Sequence, residues 1–348
     1  MKHKIKILAI VLAGVLFSLA FVHSRSSSQT QTVTVETAGQ KFKNIRVLNE
    51  MPAEQLGKVM NIMTASLGRD CKMCHVSNGS DFEKDDNEHK QVAREMFKMT
   101  AEINRVHFKG EQVVSCNTCH NGRPVPAAVP NLPAMVLPPR VVQPKDPPSV
   151  ERIIASYRKA VGSADAFSKL RSLTLNGIRV EPDGKTTEPE DVTWHQGTMT
   201  VSTTYGTYVV TERSDGKTAS KTGNGSPIKL QSDELAQIKR EAQLFGVADL
   251  AKVYTTLKYI GVERIDGKEV YKIRAIPAEG PSEHLFLDIR SGLLIRRIAT
   301  TPTVIGDFQF QVDYSDFKAI RGIKFPMTIR FAMPAIEWTR KVSNVKVQ

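Results

Sequence analysis

The chain has 348 residues, 41% of them hydrophobic and 24% charged, with a formal net charge of +12. That is ordinary globular composition, which excludes a fibrous or wholly disordered chain and leaves room for two domains. The charge divides as +3 over residues 1–40, +2 over 41–123 and +7 over 124–348, and no basic cluster is interleaved with aromatics; nucleic acid is therefore not an expected partner, and a solvated basic face or weak attraction to anionic lipid accounts for the excess.

The chain opens Met-Lys-His-Lys-Ile-Lys and runs into 16 apolar residues, 7–22. A basic start followed by such a run is an export signal, so the remainder is expected on the periplasmic side of the inner membrane. Its length lies between a cleavable h-region and the roughly 18 residues of a spanning helix, so residues 1–24 read as a signal peptide or as an N-terminal membrane anchor. No cysteine is near, which excludes attachment through a lipidated cysteine. Residues 25–40 are Ser/Thr/Gln-rich and read as a flexible tether.

Residues 41–123 hold the chemistry. Pro52 opens and Gly68 closes a helical pattern with Leu56, Met60, Met63 and Leu67 on one stripe. Cys71-Lys72-Met73-Cys74-His75 follows. A second helix over 86–106 carries Val92, Met96, Met99 and Ile103 on one stripe, then Cys116-Asn117-Thr118-Cys119-His120. Cys-x-x-Cys-His is the attachment signature of c-type haem: the thiols form thioethers, and the histidine is the proximal iron ligand. Two copies use all four cysteines, predicting two covalently bound haems on Cys71, Cys74, His75 and Cys116, Cys119, His120. Disulfides, a thioredoxin-like dithiol or a zinc site could use the same cysteines, but the first two leave the histidine after each pair unexplained, and free thiols are less readily delivered to zinc by export. A six-coordinate iron needs one further ligand, methionine or histidine. Met60 and Met63 are eligible for the first haem, Met96 and Met99 for the second, with His107 and His89 in reserve.

Nine of the 18 prolines fall within residues 124–148, an extended spacer or a strap along a surface. Residues 149–348 begin with a helix over 150–161 stopped by Gly162. Alternating segments then follow, punctuated by Asp183-Gly184, Asp215-Gly216, Asp266-Gly267, Ser291-Gly292 and Arg321-Gly322. One helix interrupts them near Ser232, with Leu235, Ile238 and Leu244 on one side. The expected fold class is multidomain α+β: a small, mainly helical dihaem domain, then a mainly antiparallel β domain, a barrel or a strongly curved open sheet with covering helices.

Residues 41–126 resemble the cytochrome c subunit of photosynthetic reaction centres. The likeness rests on Met60 with 66–71, on the run 92–104, and on 114–120 with Gly122 and Pro124. It implies axial sulfur from Met60 and Met96 rather than Met63 and Met99. Family members with four haems have two such pairs of motifs, and this chain has one. His107 lies near the place of a family histidine that serves the other pair, which leaves three roles open: idle, in place of Met96, or ligand to a haem of a second molecule. The opening helix, residues 161–166 and residues 314–326 resemble, more weakly, the periplasmic lipoprotein-carrier fold, a half-barrel whose concave face holds acyl chains. That implies lipid or a lipidated partner at the C-terminal domain.

The expected function is single-electron carriage between a redox donor and acceptor by two low-spin His/Met haems, with no catalytic residue; photosynthetic, respiratory and extracellular pathways all fit. A dihaem peroxidase-type enzyme with one open iron is the alternative, and a redox-responsive lipid- or protein-binding module is a third reading.

Overall fold

Two-residue turns set the topology of the C-terminal half. In the computed structural model, which describes residues 35–75, 81–129, 141–244 and 249–348, Asp266 and Gly267 have φ of 48° and 77° and join paired residues Ile265 and Lys268. Positive φ at both positions is the type I′ turn, whose twist matches that of the strands it joins. The export segment, most of the tether and linker residues 130–140 lie outside the described residues.

The first six strands are β1 (Ser172–Val180), β2 (Thr187–His195), β3 (Thr198–Tyr205), β4 (Tyr208–Ser214), β5 (Ala219–Gly223) and β6 (Ser226–Pro227). The rest are β7 (Tyr254–Ile265), β8 (Lys268–Pro277), β9 (Glu283–Asp288), β10 (Leu294–Thr303), β11 (Gly306–Ile320), β12 (Ile323–Met333) and β13 (Ile336–Val347). They form one antiparallel sheet in the order β6-β5-β4-β3-β2-β1-β13-β12-β11-β10-β9-β8-β7. The chain enters at the middle, meanders out to β6, crosses to β7 and meanders back until β13 pairs with β1.

Of the two architectures left by the sequence, a closed barrel and an open sheet, the sheet is open, with β6 and β7 as its edges. Both edges are blunted. β6 is two residues long and ends in Pro227, which has no N–H to extend a ladder. β7 is met by the linker: Gln143 Nε2 donates to Val262 O at 2.8 Å, and its Oε1 accepts from Val262 N at 2.7 Å. One amide side chain thus imitates a neighbouring strand at the edge.

Ser149 Oγ accepts from Arg152 N and caps α5 (Val150–Val161), which ends at Gly162 as its sequence predicts. Ile153, Ile154, Tyr157 and Val161 pack against Ile273, Leu285 and Leu287. The crossover helix α7 (Ser232–Leu244) follows the short α6 (Ala164–Ser168) in helix order. Its sheet-facing side departs from the apolar stripe read in the sequence. Ile238 is buried, but so are Gln237 and Arg240, because charge lies beneath: Glu283 Oε1 accepts from Arg240 Nε at 3.0 Å and from Arg297 Nη1 at 3.2 Å. Tyr254 donates to the other Glu283 oxygen at 2.6 Å.

The N-terminal elements are α1 (Ala38–Lys41), α2 (Leu56–Leu67), α3 (His89–His107) and α4 (Cys116–His120). The compact unit includes Thr37 to Gln40, inside the stretch read as a tether. Thr37 and Gln40 form a capping box around α1, and Ala38 is fully buried, a local signal that average composition hides. α3 starts at His89 rather than 86, because Asn87 Oδ1 accepts from His89 N at 3.0 Å and turns the chain there. α2 lays Val59 and Ile62 against Ile305 and Phe308 of the β10–β11 hairpin. Lys58 Nζ meets Asp233 Oδ1 of α7 at 2.9 Å, and Asn61 Oδ1 accepts from Ala335 N at 3.1 Å. Through these contacts residues 37–348 form one compact unit. Among the described residues no helix is long and apolar enough to cross a membrane.

Candidate functional site

The first cysteine pair sits on a tight turn. Asp70 Oδ1 accepts from Lys72 N at 3.1 Å, opening the 3-10 turn Cys71–Met73, and His75 N donates to Cys71 O at 2.9 Å. Asn87 Nδ2 holds the turn by donating to Met73 O at 2.8 Å. Phe82 stands edge-on to the His75 ring, with centroids 5.0 Å apart. His75 Nδ1 is buried without a hydrogen-bond partner among the described residues. Burial, reinforced by the Lys90 charge, lowers the His75 pKa and favours a neutral imidazole with a lone pair to give. The Arg94 guanidinium holds the Asp85 carboxyl well below the usual range and fastens the 81–88 loop to α3.

α2 sets its predicted stripe opposite this turn. Leu56, Met60, Met63 and Leu67 line a cavity of about 1280 Å³ together with Cys71, Cys74 and His75. Ala93 and Phe97 of α3 close another side. Met60 and Met63 share this wall, so both methionines named from the sequence stand beside the first motif.

The second motif is α4 itself. Ser115 N donates to Thr118 Oγ1 at 3.0 Å across its start, and Asn121, at φ 44°, ends it. His120 Nδ1 donates to Arg123 O at 2.9 Å, which fixes the tautomer and leaves Nε2 free to ligate. Asn104, buried in α3, clamps the approach: its Oδ1 accepts from Val113 N and Val114 N at 3.1 and 2.8 Å, and its Nδ2 donates to Val114 O at 2.7 Å. Gly122 N donates to Ser66 O at 2.8 Å, tying the end of this motif to α2.

α3 has two working faces, and the sequence pattern revealed one. Val92, Met96 and Met99 form the stripe it identified, and they are exposed by 54%, 38% and 43%. The inner face, Ala93, Phe97 and Asn104, escaped it because an asparagine and an alanine break the apolar run. His107, the last residue of α3, is exposed, as is His89, whose Nδ1 lies 2.8 Å from Asn87 Oδ1.

No disulfide joins any two of the four cysteines. Burial pushes the Cys74 and Cys116 thiols up, the opposite of the lowered pKa that activates a redox dithiol. Among the described residues no three His, Cys, Asp or Glu side chains gather as a site for a bare metal ion.

The description "Photosynthetic reaction centre cytochrome C subunit" belongs to a family model that matches residues 20–208, more than half of the chain. The chain belongs to that family. Its curated relatives include the photosynthetic reaction center cytochrome c subunits of Roseobacter denitrificans, 32% identical over 102 residues (27% of this chain, 28% of the relative), and of Rubrivivax gelatinosus, 31% identical over 96 residues (26% and 25%). The match to this cytochrome c subunit family thus spans about a quarter of each curated relative. Solved structures with some likeness include a LolA superfamily protein from Nitrosomonas europaea, at 12% identity, TM-score 0.41, 58% of this chain and 94% of that one. Another is a putative outer membrane lipoprotein-sorting protein domain from Vibrio parahaemolyticus, at 11% identity, TM-score 0.38, 56% and 91%.

A cytochrome c subunit implies covalent haem, and the residues present fit that group. Each motif offers two thiols and one imidazole on a single turn, and the first lies beside the methionine-bearing apolar face of α2. At the first motif the imidazole of His75, kept neutral by burial, and the large cavity beside it, and at the second the oriented His120, suit a macrocycle held by one imidazole.

Proposed function

We propose that this protein is a dihaem c-type cytochrome of the periplasmic side, carrying single electrons between a donor and an acceptor protein. The observation that carries the reading is that the first Cys-x-x-Cys-His turn shares a cavity wall with Met60 and Met63 of α2, and the second is tied to the same helix by the bond from Gly122 N to Ser66 O. Bound haem iron supplies a reversible one-electron change. Cys71, Cys74, Cys116 and Cys119 would hold the two groups covalently, and His75 and His120 would each give one axial nitrogen. The choice of Met60 and Met96 as axial sulfur rests on the family pattern. A methionine sulfur in place of a second histidine would raise the potential of such a group, and the protein would then need no acid or base of its own.

Phe82 and Asn87 hold His75 in place, and Arg123 O orients His120. Val59 and Ile62 seat α2 on the sheet, so the methionine wall keeps its distance from the motif. A rigid ligand cradle of this kind keeps structural change on gaining or losing an electron small. The N-terminal segment supplies membrane association, and the β domain offers a surface for a lipidated or other protein partner.

A pyridine haemochrome assay with intact-mass measurement of the exported protein tests the reading. Two haems per chain, added covalently, are expected. A colourless protein with the mass of its amino acids alone refutes it.

A further inference from the structure

The cavity beside the first motif continues past it. One part is walled by α2, α3 and the motif, and the other by the sheet, where Phe308, Phe310, Met333, Ile336 and Trp338 supply an apolar lining. At about 1280 Å³ the whole exceeds the ~300–1,000 Å³ of an ordinary single-ligand site. The sheet end is also pre-organised. Trp338 stacks on Phe331 with centroids 5.0 Å apart at 10°, the Arg179 guanidinium lies 4.4 Å over the Trp338 ring, and Phe310 tilts against Trp338 at 6.4 Å. Four groups are thereby fixed before any ligand arrives.

Polar groups converge at the same end. Lys221 is held by Glu212 at 3.1 Å and Glu234 at 2.7 Å. Tyr205 and Glu241 also line the cavity, and neither side chain has a hydrogen-bond or ion-pair partner among the described residues. The Glu241 carboxyl lies in the cavity wall, and burial there pushes it up to about 7. The charges acting on it are Arg340 of β13, Glu212 of β4, Arg297 of β10 and Glu190 of β2. A carboxyl so placed can donate or accept a hydrogen bond at neutral pH.

We infer that the sheet end of this cavity is a second ligand site, next to the first haem site, for a planar aromatic molecule bearing carbonyl or hydroxyl oxygens, of the quinone class. Phe310 and Trp338 line the space for its ring, and Glu241 and Tyr205 lie at its oxygens. A fatty acid or anionic lipid fits less well, because Glu212, Glu234 and Glu241 would face its negative head while the cations at that end, Lys221 and Arg179, are already paired with Glu212, Glu234 and Glu181. The inference rests on the dihaem reading only in assigning the other end of the cavity to haem.

The test uses full-length, haem-loaded protein and 2,3-dimethyl-1,4-naphthoquinone, measured by equilibrium dialysis with decanoate as competitor. Saturable binding of one equivalent is expected, undisturbed by decanoate. Phe310→Ala weakens it about tenfold, while Trp338→Phe keeps it. Tyr205→Phe, which removes only a hydroxyl, weakens it about threefold or more. Affinity declines as pH rises through 7 in the wild type and not in Glu241→Gln. No saturable binding, equal affinity in all variants, or stoichiometric displacement by decanoate overturns the inference. Haem content is read in the same samples: two haems without quinone binding sinks this inference alone, and absent haem sinks the dihaem reading.

Discussion

Replacing Gly68 by alanine strikes the joint between the two motifs. Gly68 ends α2 at φ 60°, ψ 37°, a left-handed conformation that costs a residue with a Cβ about 1–2 kcal/mol. The added Cβ would lie 2.1 Å from Gly122 O and 2.9 Å from Gly122 C. Those are backbone atoms just past the second motif and cannot swing aside as a side chain can. Relief requires α4 and α2 to separate, which strains the 2.8 Å bond from Gly122 N to Ser66 O, worth about 1 kcal/mol net. The expected loss is about 2–4 kcal/mol.

Gly57, in the first turn of the same helix, provides the control. It is exposed, has no positive φ, and a Cβ there meets nothing within 4 Å, so Gly57→Ala gains about 0.5–1 kcal/mol from helix propensity. Urea denaturation of the haem-loaded protein, followed by far-ultraviolet circular dichroism and haem absorption, reads both. Opposite signs support the geometry. A Gly68→Ala protein within about 0.5 kcal/mol of wild type would refute the backbone-contact argument.

Glu283→Gln leaves the buried Arg240 and Arg297 guanidiniums without their shared carboxylate, and a loss of about 3–5 kcal/mol is expected in the same denaturation assay. Asn104→Ala removes three hydrogen bonds that hold 113–114; it costs about 2–4 kcal/mol, and amide exchange at 113–116 accelerates before exchange elsewhere. For Glu241, burial raises the folded pKa to about 7 against about 4.3 when unfolded. The folded state therefore holds the proton more tightly, and this contribution to stability is complete below about 4.3 and lost as pH rises to about 7. Stability measured from pH 4 to 8 should fall less steeply in Glu241→Gln than in wild type; parallel curves would place Glu241 in ordinary solvent.

Local chemistry was legible because it is written in adjacent residues. The Cys-x-x-Cys-His spacing, the α2 stripe ending at Gly68, the helix stopped by Gly162 and the turn glycines all act within a few residues of where they are read. What needed the folded chain depends on partners far apart in sequence. The polar inner face of α7 makes sense only once β9 and β10 bring Glu283 and Arg297 beneath it, and α1 is a helix because Ala38 finds a core it cannot announce alone. The open sheet follows from two edges, one ended by Pro227 and one covered by Gln143 from 119 residues away. Sequence named both methionines on each helix, and the tertiary structure decided that one pair lines a cavity while the other lies on an exposed face. Periodicity defines a stripe, but only packing defines what covers it.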